Sequence, residues 1–141
     1  MSIAQKVVVI TGASRGMGAA LVEGYRDRGY GVVATARSIS PTNDEQILVV
    51  PGDITDRKTA ERAISEGLAR FGRIDTLINN AGVFVAKPFT QYTEADYAAV
   101  LGVNLTGFFH ITQLAIAEME KRRSGHVVQI TTIDPRLERP R

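Results

Sequence analysis

The alternation of short, continuously apolar runs with longer segments of helical period constrains the fold more than any other feature. The runs are rich in Val and Ile, and the longer segments repeat apolar residues every three or four positions. Strands that are apolar without interruption are buried on both faces, which is typical of a parallel sheet covered by helices. The pattern therefore predicts a doubly wound α/β fold of about five strands with helices on both faces. The predicted strands cover residues 7–11, 31–36, 47–50, 76–79 and 127–131.

Two helical segments, residues 16–28 and 56–71, each show one apolar face, as expected of helices that cover a sheet. Arg28-Gly29 gives the first segment a stop signal, and Thr55 or Asp56 is the predicted N-cap of the second. The predicted inward positions are Met17, Leu21 and Tyr25 in the first, and Ala60, Ala63 or Ile64, Leu68 and Phe71 in the second.

A third helical segment, residues 93–123, carries two apolar stripes where a helix on a sheet needs only one. The second stripe predicts that another helix packs there, from this chain or from a partner chain. We therefore expect a homo-oligomer formed through helix 93–123. The stripe expected to face the sheet is Leu101, Phe108, Ile111 and Ala115, and the other is Leu105, Phe109, Thr112 and Ile116.

The length of 141 residues suits one domain, which we assign to residues 1–132, followed by an irregular tail at 133–141. The 17 Lys and Arg residues are interleaved with 15 Asp and Glu residues, so nucleic-acid binding is not expected. The apolar run at 7–10 is too short for a signal peptide core or a membrane span, which predicts a cytoplasmic protein that binds no membrane. With no cysteine and only two histidines, a metal site is not expected.

A glycine-rich segment, Thr11-Gly-Ala-Ser-Arg-Gly-Met-Gly18, stands between the first predicted strand and the first helix. Glycines in this place allow a tight turn and a close approach of the backbone to phosphate, while free N–H groups and the helix dipole attract a pyrophosphate. The segment therefore predicts dinucleotide binding, although glycines before a helix can also serve only as turn formers. The predicted contacts are Gly12, Ser14, Arg15, Gly16, Met17 and Gly18.

Three further landmarks accompany this Thr-Gly-x3-Gly-x-Gly form: Asn79-Asn-Ala-Gly82 at the end of the fourth strand, Asp53 after the third strand, and Asn104 in the long helical segment. Together they resemble the short-chain dehydrogenase/reductase family, from about Lys6 to Thr132. The resemblance implies a Rossmann-like fold, of which this chain would be the amino-terminal part, without the last strands and helices.

The resemblance also implies roles at the cofactor. Asp53 and Ile54 would bracket the adenine, since a carboxylate at the end of a strand can accept a hydrogen bond from the adenine amino group. The alternative is that Asp53 caps the next helix, for which Thr55 and Asp56 are better placed. Along the following strand, the residues implied to line the cofactor are Asn80, Ala81 and Gly82.

The choice between NAD(H) and NADP(H) depends on the end of the second strand. A carboxylate there would bind the ribose 2′-hydroxyl and repel a 2′-phosphate, but this chain reads Ala34-Thr-Ala-Arg37. Arg37, and Arg15 in the glycine segment, could both reach a 2′-phosphate, each contributing roughly 1.5–3 kcal/mol. We predict that NADP(H) is preferred over NAD(H), unless both arginines are only solvated surface groups.

Catalysis in the family depends on a Ser after the fifth strand and on a Tyr-x3-Lys motif about a dozen residues later. Here Thr132 aligns with the Ser, and Asn104 with an Asn that bends the long helix and helps to hold a water; a side chain satisfied by backbone is the other interpretation of Asn104. No tyrosine of the chain is followed by lysine at the required spacing. Two hypotheses stay open: an NADP(H)-dependent oxidoreductase acting on a small alcohol or carbonyl compound, without turnover by this chain alone, or a non-catalytic NADP-binding module or regulatory relative.

Overall fold

A five-stranded parallel sheet forms the centre of the molecule in the computed structural model, which describes residues 4–131. The strand order is β3-β2-β1-β4-β5, and every neighbouring pair is parallel. The chain thus winds outward from β1 in both directions, and the predicted fold class is confirmed. The strands are β1 Val7–Thr11, β2 Gly31–Ala36, β3 Ile47–Pro51, β4 Thr76–Asn79 and β5 His126–Gln129.

Four α-helices connect the strands, and a short 3-10 turn, Phe89–Gln91, precedes the third. The predicted single helix at 93–123 is wrong in one respect: six residues, Gly102–Gly107, form a π-helical turn between α3 and α4. β5 also begins one residue before the predicted strand and ends at Gln129, ahead of the predicted end. The helices are α1 Gly16–Asp27, α2 Arg57–Phe71, α3 Glu94–Leu101 and α4 Phe108–Arg122.

The core consists of two layers, one on each face of the sheet. Because side chains alternate along a strand, β1 sends Val7 and Val9 to one layer and Val8 and Ile10 to the other. The first layer packs against α2 and α4, and the second packs against α1. This arrangement leaves the carboxyl ends of the strands free to carry loops.

Of the stripe predicted to face the sheet, Ile111 and Ala115 do so and are fully buried, whereas Leu101 and Phe108 are only half-buried and lie outside the core. In the other stripe Thr112 is buried, contrary to the prediction, because its hydroxyl accepts a hydrogen bond from Asn79 Nδ2 at 2.9 Å. Met17 is also misplaced by the sequence pattern. It is 58% exposed, because the buried face of α1 is centred between Leu21, Val22 and Tyr25 rather than on the line through Met17. Exposed side chains of the second stripe are Leu105, Phe109 and Ile116.

The continuous helical stretch Glu94–Arg122 is long and apolar enough to cross a membrane by length and composition alone. Helices that pack in the core of a protein pass the same test. In this chain Ile111, Ala115 and Met119 of that stretch pack against the sheet. The stretch is therefore weak support for a membrane span.

Candidate functional site

A cleft of about 890 Å³ opens at the carboxyl ends of β1 to β4, where the glycine segment lies. In doubly wound folds, ligands bind at this edge, where the chain winds away from the central strand in both directions. The side chains and backbone that line the cleft follow four different strands. The predicted cofactor-binding residues that line the cleft are Gly12, Ser14, Arg15, Gly16, Arg37, Asp53, Ile54, Asn80, Ala81 and Gly82.

Glycine occupies three positions of the loop, and the physical reason differs between them. Gly12 and Gly16 adopt φ values of +64° and +57°, which L side chains rarely adopt. A Cβ on Gly18 would overlap the carbonyl oxygen of Gly12, so no side chain fits there. A Cβ on Gly16 would meet nothing within 4 Å. The loop is therefore compact beneath Gly12 and open above Gly16, as a phosphate cradle at a helix N-terminus requires.

Asn80 holds this loop against β4. Its Nδ2 donates to the carbonyl oxygens of Thr11 at 3.2 Å and Gly12 at 3.1 Å. In return, Thr11 Oγ1 accepts from the backbone N–H groups of Asn80 at 3.1 Å and Ala81 at 2.9 Å. The neighbouring Asn79 side chain points the other way and donates to the Thr112 hydroxyl, so the two asparagines bind different elements. These contacts join the start of the glycine loop to the segment that follows β4.

Asp53 occupies the turn after β3 and faces the cleft. Its Oδ1 accepts from the Thr55 backbone N–H at 2.9 Å and from the Thr55 hydroxyl at 2.8 Å. These two bonds, with a smaller contribution from the charge of Arg37, hold the pKa of Asp53 below its ordinary value against the opposing effect of burial. The N-cap of α2 is Asp56, whose carboxylate accepts from the Lys58 backbone N–H at 3.0 Å. Asp53 is therefore left as an ionised hydrogen-bond acceptor beside the cleft.

Ile54, by contrast, is 8% exposed and belongs to the sheet core. It packs so closely on the π-helical turn that a Cβ on Gly107 would lie 2.8 Å from its Cγ2. The floor of the cleft at this end is therefore apolar and rigid, suited to a flat ring.

Two arginines border the same cleft, Arg15 from the glycine loop and Arg37 from the end of β2. Arg15 is the residue before α1, with extended backbone, and its side chain does not cap the helix. Both side chains are exposed. β2 ends at Ala36, and Arg37 follows it directly, so the end of this strand carries no carboxylate. The cleft therefore presents two cations and one carboxylate, Asp53.

Asn104 lies in the π-helical turn and holds the backbone of Val83 from both sides. Its Oδ1 accepts from the Val83 N–H, and its Nδ2 donates to the Val83 carbonyl oxygen, both at 2.9 Å. The side chain is thus satisfied by backbone, and its role in a proton relay stays a prediction. Thr132, the other candidate catalytic residue, lies outside the described residues.

Sequence reasoning missed several residues that line the cleft, and it included two that do not. Met17 and Gly18 belong to the glycine segment but are absent from the lining: Gly18 is buried beneath the loop, and Met17 points elsewhere on the surface. The signal for most of the missed residues was their position at or next to the carboxyl end of a strand; Val83 lies further along the segment after β4, and Val103 lies in the π-helical turn, without such a signal. The missed residues are Thr11, Thr35, Ala36, Ser38, Gly52, Val83 and Val103. Within residues 4–131, no group of three or more His, Asp and Glu side chains could hold a metal ion.

Comparison with known proteins agrees with this geometry. The family model described as short chain dehydrogenase matches residues 6–139. The chain is 35% identical over 135 residues to the L-fucose dehydrogenase of Mus musculus, covering 91% of this chain and 49% of that protein. It is 32% identical over 144 residues to the 3-oxoacyl-acyl-carrier-protein reductase FabG of Thermotoga maritima, covering 94% and 58%. The chain spans about half the length of the curated relatives it matches.

Solved structures show the same relationship. A short-chain dehydrogenase from Streptomyces avermitilis superposes with a TM-score of 0.85 at 32% identity, covering 94% of this chain and 51% of that one. A Tyr-to-Phe variant of ElxO with NADPH bound superposes with a TM-score of 0.83 at 26% identity, covering 91% and 56%. Since the family model matches nearly the whole sequence and the fold agrees with its solved members, the chain belongs to the short-chain dehydrogenase family.

Proposed function

We propose that the protein is an NADP(H)-dependent oxidoreductase that interconverts an alcohol and a carbonyl compound by hydride transfer. The observation that carries the proposal is the cleft at the glycine loop, bordered by Arg15 and Arg37. The bound cofactor would supply the hydride acceptor or donor. NADPH in the related ElxO structure is consistent with this choice of cofactor.

The residues of this chain would divide the work of binding. Backbone N–H groups between Gly12 and Gly18 and the N-terminus of α1 would hold the pyrophosphate. Asp53, kept ionised by its bonds to Thr55, would accept from the adenine amino group. Ile54 would provide an apolar surface against the ring. Above Gly16 the described residues leave open space, which fits a phosphate in close contact with the backbone.

The preference for NADP(H) follows from the charges at the end of β2. A 2′-phosphate placed between Arg15 and Arg37 would form charge-assisted hydrogen bonds worth roughly 1.5–3 kcal/mol each, whereas the 2′-hydroxyl of NAD(H) would leave both guanidinium groups without an anion. One good contact corresponds to about a tenfold or greater difference in Kd.

A fluorescence titration of the 141-residue chain with NADPH and NADH tests this preference. Wild type should bind NADPH more tightly by about tenfold or more, and Arg37→Asp should reverse the order, because the carboxylate accepts from the ribose hydroxyls and repels the phosphate. Arg28→Asp, which makes the same change in charge at the far end of α1, is the control and should leave the preference unchanged. Equal dissociation constants for the two cofactors in wild type would rule the preference out.

A non-catalytic NADP-binding module is the second candidate, and it is favoured by the lack of a Tyr-x3-Lys motif in these 141 residues. A positioned general acid contributes roughly 10²–10⁴ in rate, so its absence removes most of the expected activity. We propose that the chain alone binds cofactor without measurable carbonyl reduction. Turnover by purified chain that disappears in Thr132→Val would instead favour a catalytic chain.

A further inference from the structure

A second pocket of about 460 Å³ adjoins the cofactor cleft beside α3, and we name it the α3 pocket. It shares four lining residues with the cleft, so the two spaces are continuous at the end of the cleft near the turn after β3. The shared residues are Arg37, Asp53, Val83 and Val103.

The walls that belong to the α3 pocket alone are small and mostly apolar. Val85 lies on one side, and Ala98, Ala99 and Gly102 lie on the helical side. The hydroxyl of Thr55, the remaining polar group, is already committed as a donor to Asp53. Away from Arg37 and Asp53, which line its junction with the cleft, the pocket therefore favours an uncharged, apolar group.

The walls are held in place by contacts within the chain. Asn104 binds both backbone polar groups of Val83, and the Tyr92 hydroxyl donates to the Val85 carbonyl oxygen. The floor is closed where Gly102 meets Thr55, since a Cβ on Gly102 would lie 3.2 Å from Thr55 Cγ2. A pocket whose walls are fixed in this way binds a ligand without a large cost of ordering.

We propose that the α3 pocket is a subsite for an apolar group joined to the amino nitrogen of adenine, so that the protein accepts N6-substituted adenine dinucleotides. The inference rests on the proposed function, in which Asp53 accepts from that amino group. Asp53 stands at the junction of the two spaces, so a substituent on the nitrogen would extend past it toward Ala98 and Ala99. A singly substituted nitrogen keeps one N–H, which can still donate to Asp53.

Calorimetric titration with NADPH and its N6-benzyl analogue tests the subsite. Wild type should bind the two with dissociation constants within about threefold of each other, because the pocket has the size of a ligand subsite. Ala99→Leu, a change at an exposed helical position, should weaken the benzyl analogue by about tenfold and leave NADPH within about threefold. Ala117→Leu, at an exposed position of α4 outside both spaces, is the matched control and should change neither affinity.

Three results would overturn the inference, and the third is distinguishable from the first two. If wild type binds NADPH but binds the benzyl analogue more than about tenfold more weakly, the subsite is absent while the proposed function stands. The same conclusion holds if Ala99→Leu weakens both ligands equally. If wild type binds neither ligand, the proposed function fails and the subsite fails with it.

Discussion

The Asp75 side chain hydrogen-bonds to several groups at the amino ends of the strands, opposite the cleft. Its Oδ2 accepts from the Val7 backbone N–H at 2.8 Å and from Arg73 Nε at 2.8 Å, and its own backbone pairs with Val7 and His126. Burial alone would raise the pKa of Asp75, but the Arg73 side chain, the Val7 amide and the charge of Arg122 together hold that pKa below its ordinary value.

The sign of the pH effect follows from that depressed pKa. The ionised Asp75 stabilises the fold at pH values above the unfolded pKa of about 3.9, and this contribution is lost as pH falls through the lower folded pKa. We expect Asp75→Asn to reduce the free energy of unfolding at pH 7 by roughly 1.5–3 kcal/mol and to flatten its decline at acidic pH. Urea unfolding between about pH 2 and pH 7 measures both effects. Asp27→Asn, at an exposed position, is the control; an acid slope of Asp75→Asn equal to that of wild type would contradict the prediction.

Lys87 and Thr93 act on another carboxyl with a lowered pKa, that of Asp96 in the first turn of α3. The Lys87 side chain and then the Thr93 backbone N–H lower the pKa of Asp96 to about 2. Thr93 and Asp96 also form a capping box at the start of α3. The stabilisation of the fold by ionised Asp96 is lost as pH falls from about 4 toward 2, the same acid range in which the contribution of Asp75 is lost. The acid slope of Asp75→Asn must therefore be compared with that of wild type, in which Asp96 titrates as well.

At the scale of elements, the π-helical turn Gly102–Gly107 matters most, because it joins the long helix to the cleft. π-helical turns recur at functional sites. Here the turn places Asn104 against Val83 and brings Gly107 onto Ile54. The helix thereby sets the position of two segments that line the cofactor cleft.

Asn104→Ala should release the Val83 backbone. Because Val83 is only partly buried, water can replace the lost partners, and the free energy of unfolding should fall by only about 0.5–1.5 kcal/mol. Hydrogen exchange of the Val83 amide should accelerate, and NADPH binding should weaken because Val83 lines the cleft. Gln113→Ala, in the same helical stretch outside the cleft, is the control. Unchanged exchange at Val83 would show that Asn104 does not hold this segment.

At the scale of the whole molecule, two surfaces have no partner within residues 4–131. Leu105, Phe109 and Ile116 of the second stripe are 56%, 53% and 40% exposed. β5 is an edge strand, and unpaired strand edges tend to recruit another chain. These surfaces support the proposal that the chain self-associates through helix 93–123.

Sedimentation equilibrium over a range of concentrations tests this association. Wild type should show a concentration-dependent mass, and Phe109→Asp should weaken association by about tenfold or more, because burying one large side chain contributes roughly 1.5–3 kcal/mol. Phe89→Asp, at a position 90% exposed but off the stripe, is the matched control. A single species of monomer mass throughout would contradict the prediction.

Much of the architecture was predictable from sequence because it depends on local periodicity. Val7 to Ile10 is apolar without interruption, which is typical of a strand covered on both faces, and a dinucleotide-binding glycine loop has a strand before it and a helix after it. The bounds of β1, β2 and β4 agree with the prediction for this reason. The N-cap of α2 was predictable only as Thr55 or Asp56, and the structure shows that it is Asp56.

Only the tertiary structure determined which residues, distant in sequence, each side chain contacts. Thr112 lies in the outward stripe by periodicity, yet it is buried because Asn79, distant in sequence, binds its hydroxyl. The π-helical turn has no signal in helical spacing; the resemblance alone implied a bend at Asn104, and only the tertiary structure shows that this side chain binds the Val83 backbone. Hydrophobic periodicity records the average environment of a helix face, whereas long-range hydrogen bonds between particular residues exist only once the elements have packed.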